Sequence, residues 1–328
     1  MKRAAALSAA WTLAACATVP LSIPLHDAFP SDGWTPSPAS SRPVGLGLPG
    51  GVRLAEGVRF IGGLELVAGG DSPLHGLSDL KVSGGWLHAV TDAGDLVRFR
   101  VAFDAATGTP MYVERLGLRR LTSRDGGPIT DTFEGDAEGL ALIADRELLV
   151  SFERDHRIWT YGPLDDPDAP TPLPSPDHPF ASNAGMEGLA SGQGDWRVAG
   201  EDGGVWDCDR RACRVVVAPP DIPPPPGAYR TTGLDRDPGG EGWFVVQRAY
   251  RPPLDARARV LRMDAEGRLG PALIALSLPS TVENFEGVAA ETTRNGTRLY
   301  ILSDDNFSAR QRTLLLIFDV PGRAGAED

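Results

Sequence analysis

The chain has 328 residues, a formal net charge of -12 and 41% hydrophobic residues. That length and apolar content suffice for a globular body with a sizeable core. The acidity excludes nucleic acids and anionic membrane surfaces as partners, because both are bound through basic patches, and leaves room for cations.

The chain opens on processing signals. Lys2 and Arg3 form a positive start, an apolar stretch follows from Ala4, and Leu13-Ala14-Ala15-Cys16 has the small-residue cleavage pattern ending on cysteine. The pattern resembles the lipobox of bacterial lipoproteins. That resemblance implies a signal peptide over residues 1–15 and lipidation of Cys16, with cell-envelope localisation expected at the outer membrane on the periplasmic side. Loss of Lys2 and Arg3 takes the mature charge to -14. No later apolar run approaches the ~20 residues a membrane-crossing helix needs, so the lipid anchor would be the one membrane contact. Residues 16–51 are rich in Pro, Ser and Gly and read as a flexible linker. A folded domain is expected over 52–322, with a tail at 323–328.

Self-similarity runs through that domain. "HGLSDL", "AEGLAL", "MEGLAS", "TGLDRD" and "FEGVAAE" share a Gly followed by Leu or Val, and their glycines (Gly76, Gly139, Gly188, Gly233, Gly287) lie 63, 49, 45 and 54 residues apart. Each copy leads through a turn into a β-patterned run such as "WLHAVTD" or "ELLVSFE", then a third such as "DLVRFRV" or "RIWTYG", and usually a fourth. Four strands per repeat of this length predict an all-β fold, a β-propeller of five four-stranded blades, or six if the long first interval hides a degenerate one. The last copy lacks its outer strand, which "VRFIGGLELV" at 58–67 is expected to supply, closing the ring with an N-terminal strand. A two-sheet sandwich explains the repeats less well. Cys208 and Cys213 in "CDRRAC" flank a four-residue turn, and export favours a disulfide across that hairpin.

Acids recur at matching places. Glu138, Glu187 and Glu286 each precede the repeat Gly, with Asp79 and Asp235 just after it. Asp92, Glu153, Glu201 with Asp202, and Asp304 with Asp305 close the second strands, where the fourth blade has Gln247 and Arg248. First strands line a propeller's channel, so these carboxylates should gather at one mouth. Crowded carboxylates must take up protons or share cations, and hard oxygen ligands suit Ca²⁺. A Ca²⁺ cofactor held by Asp79, Glu138, Glu153, Glu187, Glu286, Asp304 and Asp305 is therefore expected. In the alternative reading each acid accepts backbone amides and pins blade to blade.

The segments "GGLELVAGGDSPLHGLSDL", "DAEGLAL" with "LLVSFERDHRIWTY", "NAGMEGLA", and "ENFEGVAAE" running into "LYILSDDNFSARQRTLLLIFDV" resemble the bacterial esterase-like activity of phytase domain, a relative of the β-propeller phytases. The resemblance covers roughly residues 55–320. It implies an exported propeller hydrolysing esters, with motif positions at Asp79, Glu138, Glu153, Arg154, Glu187, Glu286, Asp304, Asp305, Asn306 and Gln311. Lysine is absent from these motifs, which favours a small-molecule ester or phosphoester over the strongly anionic inositol phosphates. The expected catalytic residues are Glu138 or Glu286 as base, with Arg154 or Arg310 holding the substrate anion, in a monomer. The rival function is a non-catalytic envelope propeller that binds a ligand or protein. No G-x-S-x-G occurs, so Ser72 and Ser78 read as turn residues. His88 and the tryptophans read as core.

Overall fold

The computed structural model describes residues 33–322 apart from 71, 194, 241, 253 and 254; Cys16 and the 323–328 tail lie outside them. Five antiparallel sheets form the five blades. In order from the inner strand outward, blade 1 is Leu77–Ser83, Trp86–Thr91, Asp95–Phe103 and Pro110–Arg120, and blade 2 is Ala137–Ile143, Glu147–Phe152, Arg157–Pro163 and Thr171–Leu173. Blade 3 is Gly188–Ser191, Trp196–Ala199, Val205–Cys208 and Cys213–Val217. Blade 4 is Arg230–Arg236, Trp243–Arg251, Asp255–Met263 and Leu269–Ser277. Blade 5 is Asn284–Thr293, Gly296–Asp304 and Thr313–Pro321, completed by the N-terminal Arg59–Ala68, which pairs antiparallel with Thr313–Pro321. Five blades, not six, account for the repeats; a long connection, residues 121–136, fills the wide first interval.

The inner strands touch in the order 1–2–3–4–5–1, which closes the ring. Alternating apolar residues from facing blades fill five separate cores, one per blade boundary. Trp196 and Trp206 lie between blades 2 and 3, and Trp243 lies between blades 3 and 4. Inner strands approach one another so closely that a Cβ at Gly233 would stand 2.2 Å from the Glu286 carbonyl oxygen.

Pairing registers define equivalent positions. Gly139, Gly188, Gly233 and Gly287 lie opposite Ser151, Ala199, Val246 and Leu302, and in blade 1 the residue so placed is Asp79, opposite Val90. Gly76, the glycine that the sequence pattern aligns with the repeat, sits three residues earlier, at the channel entry.

The N-terminal region departs from the flexible-linker expectation within residues 35–51. Thr35–Pro36 adds to the outer edge of blade 1, Ala39–Val44 to blade 5, and Gly47 bridges to Ser280; Val52–Leu54, at the expected start of the folded domain, adds to blade 4. Outermost strands are paired on one side only, so their Pro and Ser content carries no penalty there. A disulfide joins Cys208 and Cys213 across the hairpin turn of blade 3.

Candidate metal and active site at the channel mouth

Inner strands begin, and second strands end, on the same face of the ring. The backbone repeats one arrangement there: the N–H of Asp92 bonds the Gly76 carbonyl at 2.9 Å, that of Glu153 the Asp136 carbonyl at 2.8 Å, and that of Glu201 the Gly185 carbonyl at 3.0 Å. In blade 5, Asp304 pairs with Asn284 at the same place. Each second-strand acid is thereby set beside the entry of its own inner strand. The glutamates stand one residue before the repeat glycine, at Glu138, Glu187 and Glu286; blades 1 and 4 carry Ser78 and Thr232 there. In blade 4 the second-strand position holds Arg248 instead of an acid. The mouth therefore gathers Asp92, Asp136, Glu138, Glu153, Glu187, Glu201, Glu286 and Asp304 from blades 1, 2, 3 and 5, together with an arginine from blade 4.

Arg248 approaches Glu286 at 3.2 Å and Glu201 at 3.9 Å. Arg154 pairs with Asp136, and Arg230 with Asp202. The Asn284 amide donates to Glu286 at 2.7 Å and to Asp304 at 3.4 Å. Arg154, Asn306 and Phe307 hold left-handed backbone conformations, at φ 59°, 48° and 51°, a strain that persists where surrounding contacts fix it and that gathers at functional sites.

Burial is the first cause of every shift among these acids. It lifts Glu138 well above the carboxylate range, helped by Glu187, Glu286, Asp136 and Glu153. Glu187 is lifted likewise by burial, then Glu201 and Glu286, against Arg248. Glu286 rises to about 8 through burial, with Arg248 opposing and Asp304 adding. Asp92 rises to about 8 through burial and the neighbouring Asp304, Asp136 and Asp305. Burial, Asp136 and Glu201 raise Glu153 to about 7 against Arg154 and Arg248, and burial raises Asp304 to about 6. So many carboxylates cannot all ionise at neutral pH unless cations join them.

The residues fit a hard divalent cation. Asp136, Glu138 and Glu153 each offer an oxygen within 4.8 Å of the other two, and Oδ1 of Asp92 is buried with no hydrogen-bond partner among the described residues. This is a possible acidic metal site of all-oxygen character.

Other expected site residues fall elsewhere. Asp79 is fully buried one layer below the mouth, where its oxygens take Lys81 Nζ at 2.6 Å and the N–H groups of Leu80 at 2.7 Å and Leu140 at 2.9 Å. It pins blade 1 to blade 2, as the structural reading of these acids expects, and its oxygens are spoken for. Asp305 accepts from His75 Nδ1 at 2.7 Å, the Gly76 N–H at 3.3 Å and the Phe307 N–H at 3.1 Å, which fastens blade 5 to the entry of blade 1. Arg310 is exposed on the turn after Asp305 and makes no ion pair among the described residues; the guanidinium groups among the acids are those of Arg248 and Arg154. Asp136 was missed, although it lies two residues before Glu138, the spacing that returns to the same side of a strand. His75 lies outside the expected set; its side chain is 39% exposed, Nδ1 bonds Asp305, and Nε2 has no partner among the described residues.

The search of curated proteins returns no match. Among solved structures, the chain is similar to an inferred gluconolactonase at 15% identity and TM-score 0.45, over 88% of this chain and 96% of that one. It is similar also to a luciferin-regenerating enzyme at 11% identity and TM-score 0.41, over 78% and 80% of the two chains. A third likeness is to the PQQ-bound aldose sugar dehydrogenase of Streptomyces coelicolor, at 14% identity and TM-score 0.40, over 87% and 99%. At these values none speaks to the chemistry of this chain. The phytase-like family, described as esterase-like activity of phytase, matches residues 72–307, which hold every mouth acid described above. On that match, spanning most of its length, the chain belongs to the phytase-like family of esterase-like activity of phytase.

Proposed function

We propose that the protein is a metal-dependent hydrolase of small phosphoesters or related esters, working at the channel mouth with Ca²⁺ as its cation. One observation carries the reading: eight carboxylates from four blades gather at a mouth that also holds the Arg248 guanidinium of blade 4, 3.2 Å from Glu286, and one buried Asp92 oxygen has no hydrogen-bond partner among the described residues. Asp136, Glu138 and Glu153 would hold the cation, with Asp92 completing the oxygen set. A cation so bound supplies Lewis-acid polarisation of the ester oxygen and acidifies a water. Arg248 and Arg154 draw the substrate anion to the mouth and orient it. Glu286, whose carboxyl burial lifts to about 8 in the metal-free mouth, would be ionised once a cation offsets its neighbours and would then accept the proton of the attacking water. His75, oriented by Asp305, can hydrogen-bond the substrate through Nε2 at the rim.

Attachment to the cell envelope through Cys16 belongs to the same proposal and rests on the lipobox-like pattern. The test is turnover of an aryl phosphate and an aryl acetate by the purified chain in Ca²⁺ and in EDTA. Turnover that needs Ca²⁺ and falls at least about a hundredfold in Arg248→Ala supports the hydrolase. Tight Ca²⁺ binding without turnover of either ester would leave the ligand-binding propeller as the function.

A further inference from the structure

Below the mouth, the channel holds a second charged layer of different make-up. Two residues after the repeat-glycine position stand Lys81, Ala141, Ala190, Asp235 and Ala289 in blades 1 to 5. The three alanines pack into the apolar cores between blades, so Lys81 and Asp235 are the two charged side chains at this level. Lys81 is one of two lysines in the sequence and the only one among the described residues. Its side chain is 4% exposed, and Nζ lies 2.6 Å from Asp79 Oδ2, 3.0 Å from the Leu80 carbonyl and 3.5 Å from the Val288 carbonyl of blade 5. Asp235 of blade 4 accepts the Ala290 N–H at 2.8 Å and has Lys81 as its principal attractive charge.

A carboxylate and two backbone carbonyls from neighbouring blades, with a second carboxylate nearby, are the donor set of a hard cation. Here an ammonium fills it. Elsewhere the charged side chains of this protein use arginine, whose wide planar fork serves paired carboxylates; a compact ammonium is the side chain that suits a point-like site on a narrow channel.

We infer that Lys81 is the resident cation of the inner channel, a covalently attached substitute for a metal ion, which confines exchangeable divalent cations to the mouth. The inference does not depend on hydrolysis. It explains why Asp79, although it lies in the acidic motif, does not join the mouth set. It also makes a latent metal site of the inner layer, one that opens when the ammonium is removed.

The experiment compares the wild type with Lys81→Met and with Asp79→Asn/Lys81→Met, measuring Ca²⁺ stoichiometry by calorimetry and Tm in EDTA and in Ca²⁺. Lys81→Met should bind one more Ca²⁺ per chain than the wild type. Its Tm should fall in EDTA and recover in Ca²⁺ by more than the wild-type gain. In the double variant, where the carboxylate that needs a counter-charge is gone, the extra Ca²⁺ should be lost. If Lys81→Met folds only with Ca²⁺ present, the inference also stands. Unchanged stoichiometry together with an unchanged response to Ca²⁺ would overturn it, as would a Lys81→Met protein that stays unfolded in Ca²⁺. Absence of ester turnover by the wild type, with the extra Ca²⁺ still bound by Lys81→Met, would count against the proposed hydrolysis alone.

Discussion

At the mouth, neighbouring residues have opposite duties although they share a chemistry. Burial raises both Glu138 and Asp79, but the carboxylates around Glu138 add to its rise, whereas an ammonium and two amides hold back that of Asp79, which reaches about 7. Replacing Glu138 by Gln should therefore separate stability from binding: at pH 8 without metal the variant should melt higher than the wild type, because one enforced charge or proton is gone, while Ca²⁺ affinity should fall at least about tenfold. Thermal melts and calorimetry check the two halves together. Gly76 gives the contrary case. Its φ is +64°, and an added Cβ would stand 2.1 Å from Asp92 Oδ1. Gly76→Ala should cost about 2 kcal/mol or more, seen as a lowered Tm. The acids themselves were plain in the sequence, since their recurrence beside glycine follows the strand period. Arg248 was visible as the exception in its blade, but that an exception should sit among the acids of the other four depends on ring closure. Asp305 could not be separated from Asp304 by pattern, because only the fold brings His75 and Gly76 to it.

The strands bear out the pattern that predicted them. Alternating runs became the second and third strands of each blade, and Arg59–Ala68 closes blade 5 as the incomplete last repeat requires. The outer additions were not legible, because a strand paired along one edge needs no apolar alternation and tolerates Pro and Ser. Ala39–Val44 is such a strand, and its side chains differ in worth. Ser41 Oγ accepts the Val113 N–H of blade 1 at 2.8 Å, so it ties blade 5's outer edge to its neighbour. Arg42 pairs with Glu65 at 2.7 Å from a side chain 65% exposed, where solvent screens the attraction. Ser41→Ala should cost about 1 kcal/mol, whereas Arg42→Ala should fall within about 0.5 kcal/mol of wild type, both measured by urea unfolding. Within the core of the closing blade, Leu316→Ala should cost about 2–5 kcal/mol.

Over the whole molecule the mouth makes stability depend on pH in an uncommon direction. Carboxyls whose native pKa is raised keep protons that the unfolded chain releases, so their contribution is fully present below about pH 4 and is lost as pH climbs through the native values. With Glu153 near 7 and Asp92 and Glu286 near 8, the loss spans about pH 4 to 8. The metal-free protein should show a Tm lower by roughly 5 °C at pH 8 than at pH 5.5, and Ca²⁺ should reverse most of that difference while releasing protons measurable in weakly buffered solution. A Tm that rises with pH in EDTA would show that the acids are ionised and balanced within the protein.

The pairing of Arg59–Ala68 with Thr313–Pro321 has a further consequence, in time. The strand made first among the blade strands must wait for the one made last, and the ion pair of Arg59 with Asp319 spans 260 positions. The four principal strands of each of blades 1 to 4 can form from contiguous chain, yet the ring cannot shut until Thr313–Pro321 has been made. Until then Arg59–Ala68 lacks its partner in blade 5. A chain cut short before residue 313 should thus accumulate as an open, aggregating horseshoe rather than as a smaller propeller.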